Sequence, residues 1–202
     1  MLDYTQNFIQ NAIGKRVDHA RAIINDFSGA ELIEQAQTDF IDKVVAQSKI
    51  GQPTLEEGKL SFQLENQRWT PNQMPGGTSF TPGQMFDVDV AYYSVPFFIP
   101  ASLEGYMPGH VGAQTIKMSL GSKSFIKLGY TRHKKADEND VESFKENYIR
   151  DIGYIKSYFS ELEAVADRIN SQSEAPIRRY FESRVNEAKG NDDLQKRMNP
   201  YS

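Results

Sequence analysis

Two acidic side chains are the most direct candidates for chemistry in this sequence. Asp87 and Asp89 lie two residues apart in the run from residue 86 to residue 92, whose alternating apolar positions predict a β-strand. Both carboxylates then project from one face, where they could bind a divalent cation or share acid–base work. The same alternation fits an ordinary strand with its apolar residues toward the core and both acids toward water. We favour this second interpretation.

Other catalytic patterns are absent from the sequence. His19, His110 and His133 are far apart and show no metal-ligand spacing. No Gly-x-Ser-x-Gly motif and no full phosphate-binding loop occur. The chain has no cysteine, which excludes disulfides, thiolate metal sites and cysteine nucleophiles. The sequence therefore predicts no catalytic residue, cofactor or metal, with a metal-dependent hydrolase or nuclease built on Asp87 and Asp89 as the alternative.

Candidate binding residues fall into a basic and an aromatic set. Arg178, Arg179 and Arg184 could hold the phosphates of a nucleic acid or nucleotide, or a partner's carboxylates. A net charge of −4 argues against nucleic acid, and a solvated helix face paired with nearby glutamates is the simpler interpretation. The aromatic set could form a partner surface and consists of Tyr106, Tyr154 and Tyr158.

The elements that must position these residues begin with helices. Apolar residues recur at three- and four-residue spacing from residue 3 to residue 48, which predicts two helices over 4–27 and 30–48 separated at Ser28-Gly29. Short alternating runs then predict an antiparallel sheet with strands at 59–64, 86–92, 115–120 and 124–130. The proline- and glycine-rich stretch 66–83 predicts a long loop, and Gly121-Ser122-Lys123 predicts a hairpin turn.

A long helix follows the strands. From Asn139 to Asn170 the apolar residues repeat at an average spacing of about 3.5, which is typical of a helix packed lengthwise against others. Asn139 and Glu142 predict a capping box at its start. A polar turn over 171–175 and Pro176 as the first residue of a return helix, ending at Gly190, predict a helical hairpin.

The predicted class is therefore α+β, with an N-terminal helical pair, a small antiparallel sheet and a C-terminal long-helix hairpin. We expect helices over 1–50, a β region packed on them over 55–133, the hairpin over 138–190, and a tail or linker over 191–202, together forming one structural unit. No apolar run is long enough for a membrane span, no signal peptide is recognisable, and the lack of cysteine fits a cytoplasmic protein.

Several C-terminal motifs resemble a known module. A strand ending like Leu128-Gly129-Tyr130 precedes an acidic helix start, a long helix similar to residues 144–152, a turn like Asn170-Ser171, and a helix with the pattern of residues 177–184. Over about residues 115–190 this resembles an N-terminal sensor or regulatory module of multidomain bacterial proteins, several of them associated with antiphage defence. In that family a TIR domain or nuclease typically follows as the effector. The closing segment of the family is replaced here by residues 197–201.

The resemblance implies a sensing, regulatory or assembly role and supplies no catalytic residue. Together with the absence of catalytic motifs, it leads us to expect a non-catalytic module that acts through protein–protein contacts. We expect a homo-oligomer formed through the helices, with a possible C-terminal effector domain or partner chain.

Overall fold

The computed structural model describes residues 2–75, 81, 83–106 and 125–198. The described elements are, in chain order, α1 (Leu2–Asn25), α2 (Gly29–Gln35), α3 (Phe40–Gln47), β1 (Thr54–Leu55), β2 (Ser61–Trp69), β3 (Phe86–Phe98), β4 (Phe125–Tyr130) and α4 (Glu138–Met198). Three short 3₁₀ turns lie at Glu57–Lys59, Pro71–Gln73 and Ala101–Leu103. The predicted α+β class with a small antiparallel sheet and a long C-terminal helix is confirmed.

The predicted break at Ser28-Gly29 is confirmed by a capping box. The Ser28 hydroxyl accepts a hydrogen bond from the Glu31 amide, and the Ser28 amide donates to the Glu31 carboxylate at 2.7 Å. The prediction of one helix over 30–48 is wrong, because a turn over 36–39 separates α2 from α3. The Thr38 hydroxyl donates to the Gln35 carbonyl and accepts from the Phe40 amide, which are local bonds that compete with a continuous helix.

The sheet is built around β3, the longest strand. It pairs antiparallel with β1, β2 and β4, and β2 and β4 lie on opposite sides of it because both pair with residues 91–94. Part of the predicted loop 66–83 is wrong, because β2 continues to Trp69, which pairs with Phe86. The polar residues at 66–68 do not show the apolar alternation that predicts a strand. An edge strand can nevertheless carry polar side chains on both faces. The predicted strand 115–120 and the turn 121–123 lie outside the described residues.

The predicted helical hairpin is wrong, because α4 is one helix of 61 residues with Pro176 inside it and no end at Gly190. Its start also differs from the predicted capping box. The Asp137 carboxylate accepts from the Asn139 amide, and the Asp137 amide donates to the Asp140 carboxylate. The predicted apolar seam is buried at Phe144 and most later positions, whereas Val141 is exposed.

A buried arginine stabilises α4 just before the proline. Proline lacks the amide hydrogen that an interior helical residue donates, and its ring crowds the preceding turn. The carbonyl oxygen that loses its helical donor at Pro176 is that of Gln172. One turn earlier, the Arg16 guanidinium donates to the carbonyl oxygens of Ile169 and Asn170, and the Ser173 hydroxyl also donates to Ile169. These bonds fix the part of α4 that precedes the proline.

The chain divides into two compact units. One consists of described residues 2–52, 100–106 and 162–198, and the other of 53–75, 83–99 and 125–161. The core of the first unit joins α1, α2 and α3 to α4 through Val17, Ala20, Ile24, Leu32, Val44, Val45, Ile177, Phe181 and Val185. In the second unit, residues of β3 and β4 are buried together with Phe144, Ile152, Ile155 and Phe159 of α4.

Candidate functional site

The two aspartates lie on one face of β3, as the alternation predicts. Asp89 has both carboxylate oxygens engaged, since it accepts from the Asn66 side-chain amide at 2.7 Å and from the Ala136 main-chain amide at 2.9 Å. These two hydrogen bonds, with Asn66 the larger cause, hold the pKa of Asp89 below its ordinary value. Asp87 is exposed and lies 3.9 Å from Arg68.

Asp89 helps to position the chain that follows β4. The Asp89 main-chain amide donates to the Lys134 carbonyl oxygen. Asp89 therefore binds residues 134–136 through both its main chain and its side chain. Within the described ranges, no group of three or more His, Asp or Glu side chains is arranged to hold a metal ion.

Two of the three histidines, His19 and His133, are described by the structure. His19 is exposed on α1, and His110 lies outside the described residues. His133 has a positive φ of 61° and its ring lies 5.5 Å from the ring of Trp69. The two described histidines therefore lie in different units.

The candidate arginines differ in their partners. Arg178 forms ion pairs with Asp42 at 2.6 Å and with Glu174 at 2.9 Å, and these bonds raise its pKa, Asp42 being the larger cause. Arg184 pairs with Glu187 at 3.1 Å, as the solvated-face interpretation predicts. Arg179 is exposed, and among the carboxylates that the structure describes it has no ion-pair partner.

The candidate tyrosines differ in exposure. Tyr106 is only 3% exposed, and its ring lies 5.4 Å from that of Phe8, so it packs in the interior of its unit. Tyr158 is half-buried beside Phe159, and this burial raises its pKa. Tyr154 is 59% exposed on α4. Of the three, Tyr154 is the one that presents a large accessible surface.

An apolar surface at β2 was not predicted as a site. Leu60, Phe62 and Leu64 are 39%, 58% and 50% exposed. All three lie in the predicted strand 59–64, and the structure has Phe62 and Leu64 on one face of β2 with Leu60 directly before it. The sequence could not reveal whether this face is covered by another part of the protein, because that depends on the position of the strand in the sheet.

Strand β2 is an edge strand in the described sheet. All nine of its residues pair with β3, and among the strands that the structure describes it has no second neighbour. An edge strand presents unpaired main-chain donors and acceptors, a template for another strand. We use the name β2 edge surface for Leu60, Phe62, Leu64 and the outer edge of β2.

Aromatic rings from β3, β4 and α4 pack next to the β2 edge surface. The ring of Phe62 lies 5.1 Å from that of Tyr93, which stacks on Tyr148 of α4 at 4.6 Å with an interplanar angle of 18°. Tyr130 contacts Tyr93 edge-on and donates its hydroxyl to the Asp151 carboxylate at 3.0 Å. Burial and this hydrogen bond raise the pKa of Tyr130 above its ordinary value.

Searches of protein families, of curated proteins and of solved structures found no match to this chain. No helix among the described residues is long and apolar enough to cross a membrane.

Proposed function

We propose that this chain is a non-catalytic regulatory or assembly module that acts through protein–protein contacts, and that it associates with a second copy of itself through the β2 edge surface. The single observation that carries the proposal is an edge strand of nine residues that bears the exposed Phe62 and Leu64 on one face, with the exposed Leu60 directly before it. Proteins normally protect such edges with lysine, proline or bulges. Strand β2 contains neither lysine nor proline.

Self-pairing is favoured by the composition of the strand. If two β2 strands pair antiparallel about Gln63, Phe62 of each copy lies opposite Leu64 of the other, because paired residues of antiparallel strands share a face. The four side chains then form one apolar strip across the joint sheet. In this register Glu65 lies opposite Ser61, so no like charges oppose each other.

A symmetric contact of this kind also satisfies main-chain groups. The unpaired donors and acceptors along the outer edge of β2 would pair with those of the second copy, which extends the sheet formed by β2, β3 and β4. Two-fold contacts of one patch with itself are the commonest form of association between identical chains. The contact predicted through the helices stays a prediction, with Tyr154 as its most exposed candidate.

The test is the association state by analytical ultracentrifugation. We expect a dimer at about 50 μM, as for a micromolar dissociation constant, and at least about tenfold weaker association in Phe62→Lys and Leu64→Lys, since a lysine would be brought against an apolar surface. Phe125→Lys is the matched control, because Phe125 is 52% exposed on β4 and lies outside the β2 edge surface. It should leave association unchanged.

Three outcomes would contradict the proposal. A monomer at all concentrations would exclude self-association, and the β2 edge surface could then pair only with a strand of another protein. Loss of the dimer in Tyr154→Lys but not in Phe62→Lys would move the contact to α4. Equal loss in Phe125→Lys would indicate a general effect of added charge. The expected C-terminal effector domain or partner chain, and the link to antiviral defence, stay predictions.

A further inference from the structure

A pocket of about 410 Å³ lies in the first unit, between α1, the segment that follows α3, and the 3₁₀ turn at 101–103. Its volume is within the range of small-ligand sites. The basic side chains that line it are Lys15, Arg16, His19 and Lys49, and the remaining lining residues are Ala12, Gln47, Ser48, Ile50, Gly51, Ala101 and Ser102. No acidic residue is among them, although the whole chain carries a net charge of −4.

The two lysines of this pocket form no ion pair with a described carboxylate. Lysines that form an ion pair with a carboxylate in the described part of the chain are Lys43, Lys59, Lys127, Lys134, Lys145, Lys156 and Lys196. Lys15 and Lys49 are exposed and form none with any described residue. Both ammonium groups are therefore available to an anion in the pocket.

The buried guanidinium of Arg16 adds positive charge beneath them. Arg16 is 4% exposed and donates to oxygens of Val45, Ser48, Ile169, Asn170 and Ser173. All of these acceptors are neutral carbonyl or hydroxyl oxygens, and the Glu174 carboxylate acts on Arg16 only through space, without a hydrogen bond to it. The positive charge of a buried group is little screened by water, and it would contribute to stabilising an anion in the pocket.

The wall formed by residues 48–52 is held in place independently of any ligand. The side-chain amide of Asn170 bonds Ile50 twice, accepting from its amide at 2.9 Å and donating to its carbonyl at 3.0 Å. Gln52 donates to Asp167 at 2.6 Å. A preformed wall lowers the entropy cost of binding.

We propose that this basic pocket binds a small phosphate-bearing metabolite. The phosphate would lie between Lys15, His19 and Lys49, with the Ser102 hydroxyl available as a further donor. The side chains of Ala12, Ile50 and Ala101 provide an apolar side for the organic part of the ligand. Several cationic groups around one site favour a doubly charged phosphate over a single carboxylate. Binding here would give a module of this kind a small-molecule input.

The first experiment is calorimetric titration of the full chain with pyrophosphate at low salt. We expect binding that weakens about tenfold in Lys15→Gln and in Lys49→Gln, as loss of one charge-assisted contact does. Lys189→Gln is the matched control: Lys189 is exposed on α4 and forms no ion pair with a described residue, so it changes the net charge equally and should leave binding unchanged. Far-UV circular dichroism confirms folding of each variant.

The second experiment identifies the organic part. Adenosine monophosphate and ribose 5-phosphate should bind more tightly than inorganic phosphate, and adenosine should not bind. No heat with pyrophosphate up to about 1 mM, equal weakening in the Lys189 variant, or adenosine binding as tightly as its monophosphate would overturn the proposal. Because Lys15 and Lys49 lie outside the β2 edge surface, their variants should keep the association state of the wild type.

Discussion

The guanidinium of Arg16, in α1, donates a hydrogen bond of 2.5 Å to the main-chain carbonyl oxygen of Asn170, in α4. The two residues are separated by 154 positions in the sequence. The side chain of Asn170 in turn holds the main chain of Ile50. One short chain of contacts thus links the turn before Pro176, the wall of the basic pocket and the first helix.

Removing Arg16 should destabilise the first unit strongly. In Arg16→Ala the carbonyl oxygens of Val45 and Ser48 lose a buried donor, and a buried group left without its partner costs about 1–3 kcal/mol. We expect a loss of about 3 kcal/mol in the free energy of unfolding, measured with urea by far-UV circular dichroism. Lys43→Ala, which removes only an exposed ion pair with Asp39, should cost less than about 1 kcal/mol. Similar losses in both variants would contradict the role of Arg16.

Replacing the proline inside α4 should stabilise the protein. Pro176 cannot donate a main-chain hydrogen bond, and an interior proline costs up to about 3 kcal/mol relative to alanine. We expect Pro176→Ala to raise the free energy of unfolding by at least about 1 kcal/mol, because the alanine amide could donate to the Gln172 carbonyl oxygen. Gln172→Ala, at an exposed position nearby, should stay within about 0.5 kcal/mol of wild type. A loss of stability in Pro176→Ala would instead indicate that proline begins a new helix there.

Local periodicity was sufficient to predict the elements whose stability is local. The amphipathic spacing predicts α1 and the apolar seam of α4, and strict alternation predicts β4 and the first part of β3, which continues beyond the predicted end at residue 92 to Phe98. It failed at Pro176. A proline after a polar stretch favours a helix start, and no residue near Pro176 in the sequence reveals that α4 continues through it and packs against the N-terminal helices.

The candidate sites show the same division. The alternation of Leu60, Phe62 and Leu64 was predictable, but their exposure depends on β2 being an edge strand, which is a property of the sheet order. The basic pocket joins residues from three separate stretches of sequence, with no spacing rule to connect them. Conversely, Glu187 as the partner of Arg184 and Glu174 as one partner of Arg178 follow from helix spacing, since they lie three and four residues away. The shorter pair of Arg178, with Asp42, does not.

The pKa of Asp89 should respond to loss of its hydrogen-bond donor on β2. Asn66→Ala removes the larger cause of the depressed value, so the pKa should rise toward the ordinary value of about 3.9. A depressed carboxyl pKa contributes stability that is present above the unfolded-state pKa and is lost as pH falls through the folded value. The variant should therefore show less change in stability between neutral and acidic pH.

Carboxyl carbon shifts followed by NMR during a pH titration measure this pKa directly. Gln63→Ala, on the same strand, is the control and should leave the pKa of Asp89 unchanged, because Gln63 pairs with Tyr92 instead. An unchanged Asp89 pKa in Asn66→Ala would show that the bond from the Ala136 amide alone sets the value.

Two glycines of the second unit should respond in opposite directions to the same substitution. A Cβ on Gly129 would lie 2.8 Å from Cε1 of Tyr92, whose ring covers this glycine, whereas a Cβ on Gly153 in α4 would meet nothing within 4 Å. The Lys127 ammonium lies over the Tyr92 ring, 3.6 Å from the ring centroid, and this contact helps to fix the position of the ring. We expect Gly129→Ala to cost about 1–3 kcal/mol by overpacking and Gly153→Ala to gain about 0.5–1 kcal/mol by helix propensity. Urea unfolding measures both, and adding Tyr92→Ser to Gly129→Ala should make the alanine cost much smaller, since the clash is removed. A cost that persists in the double variant would show that the main chain at residue 129, and not the ring above it, requires glycine.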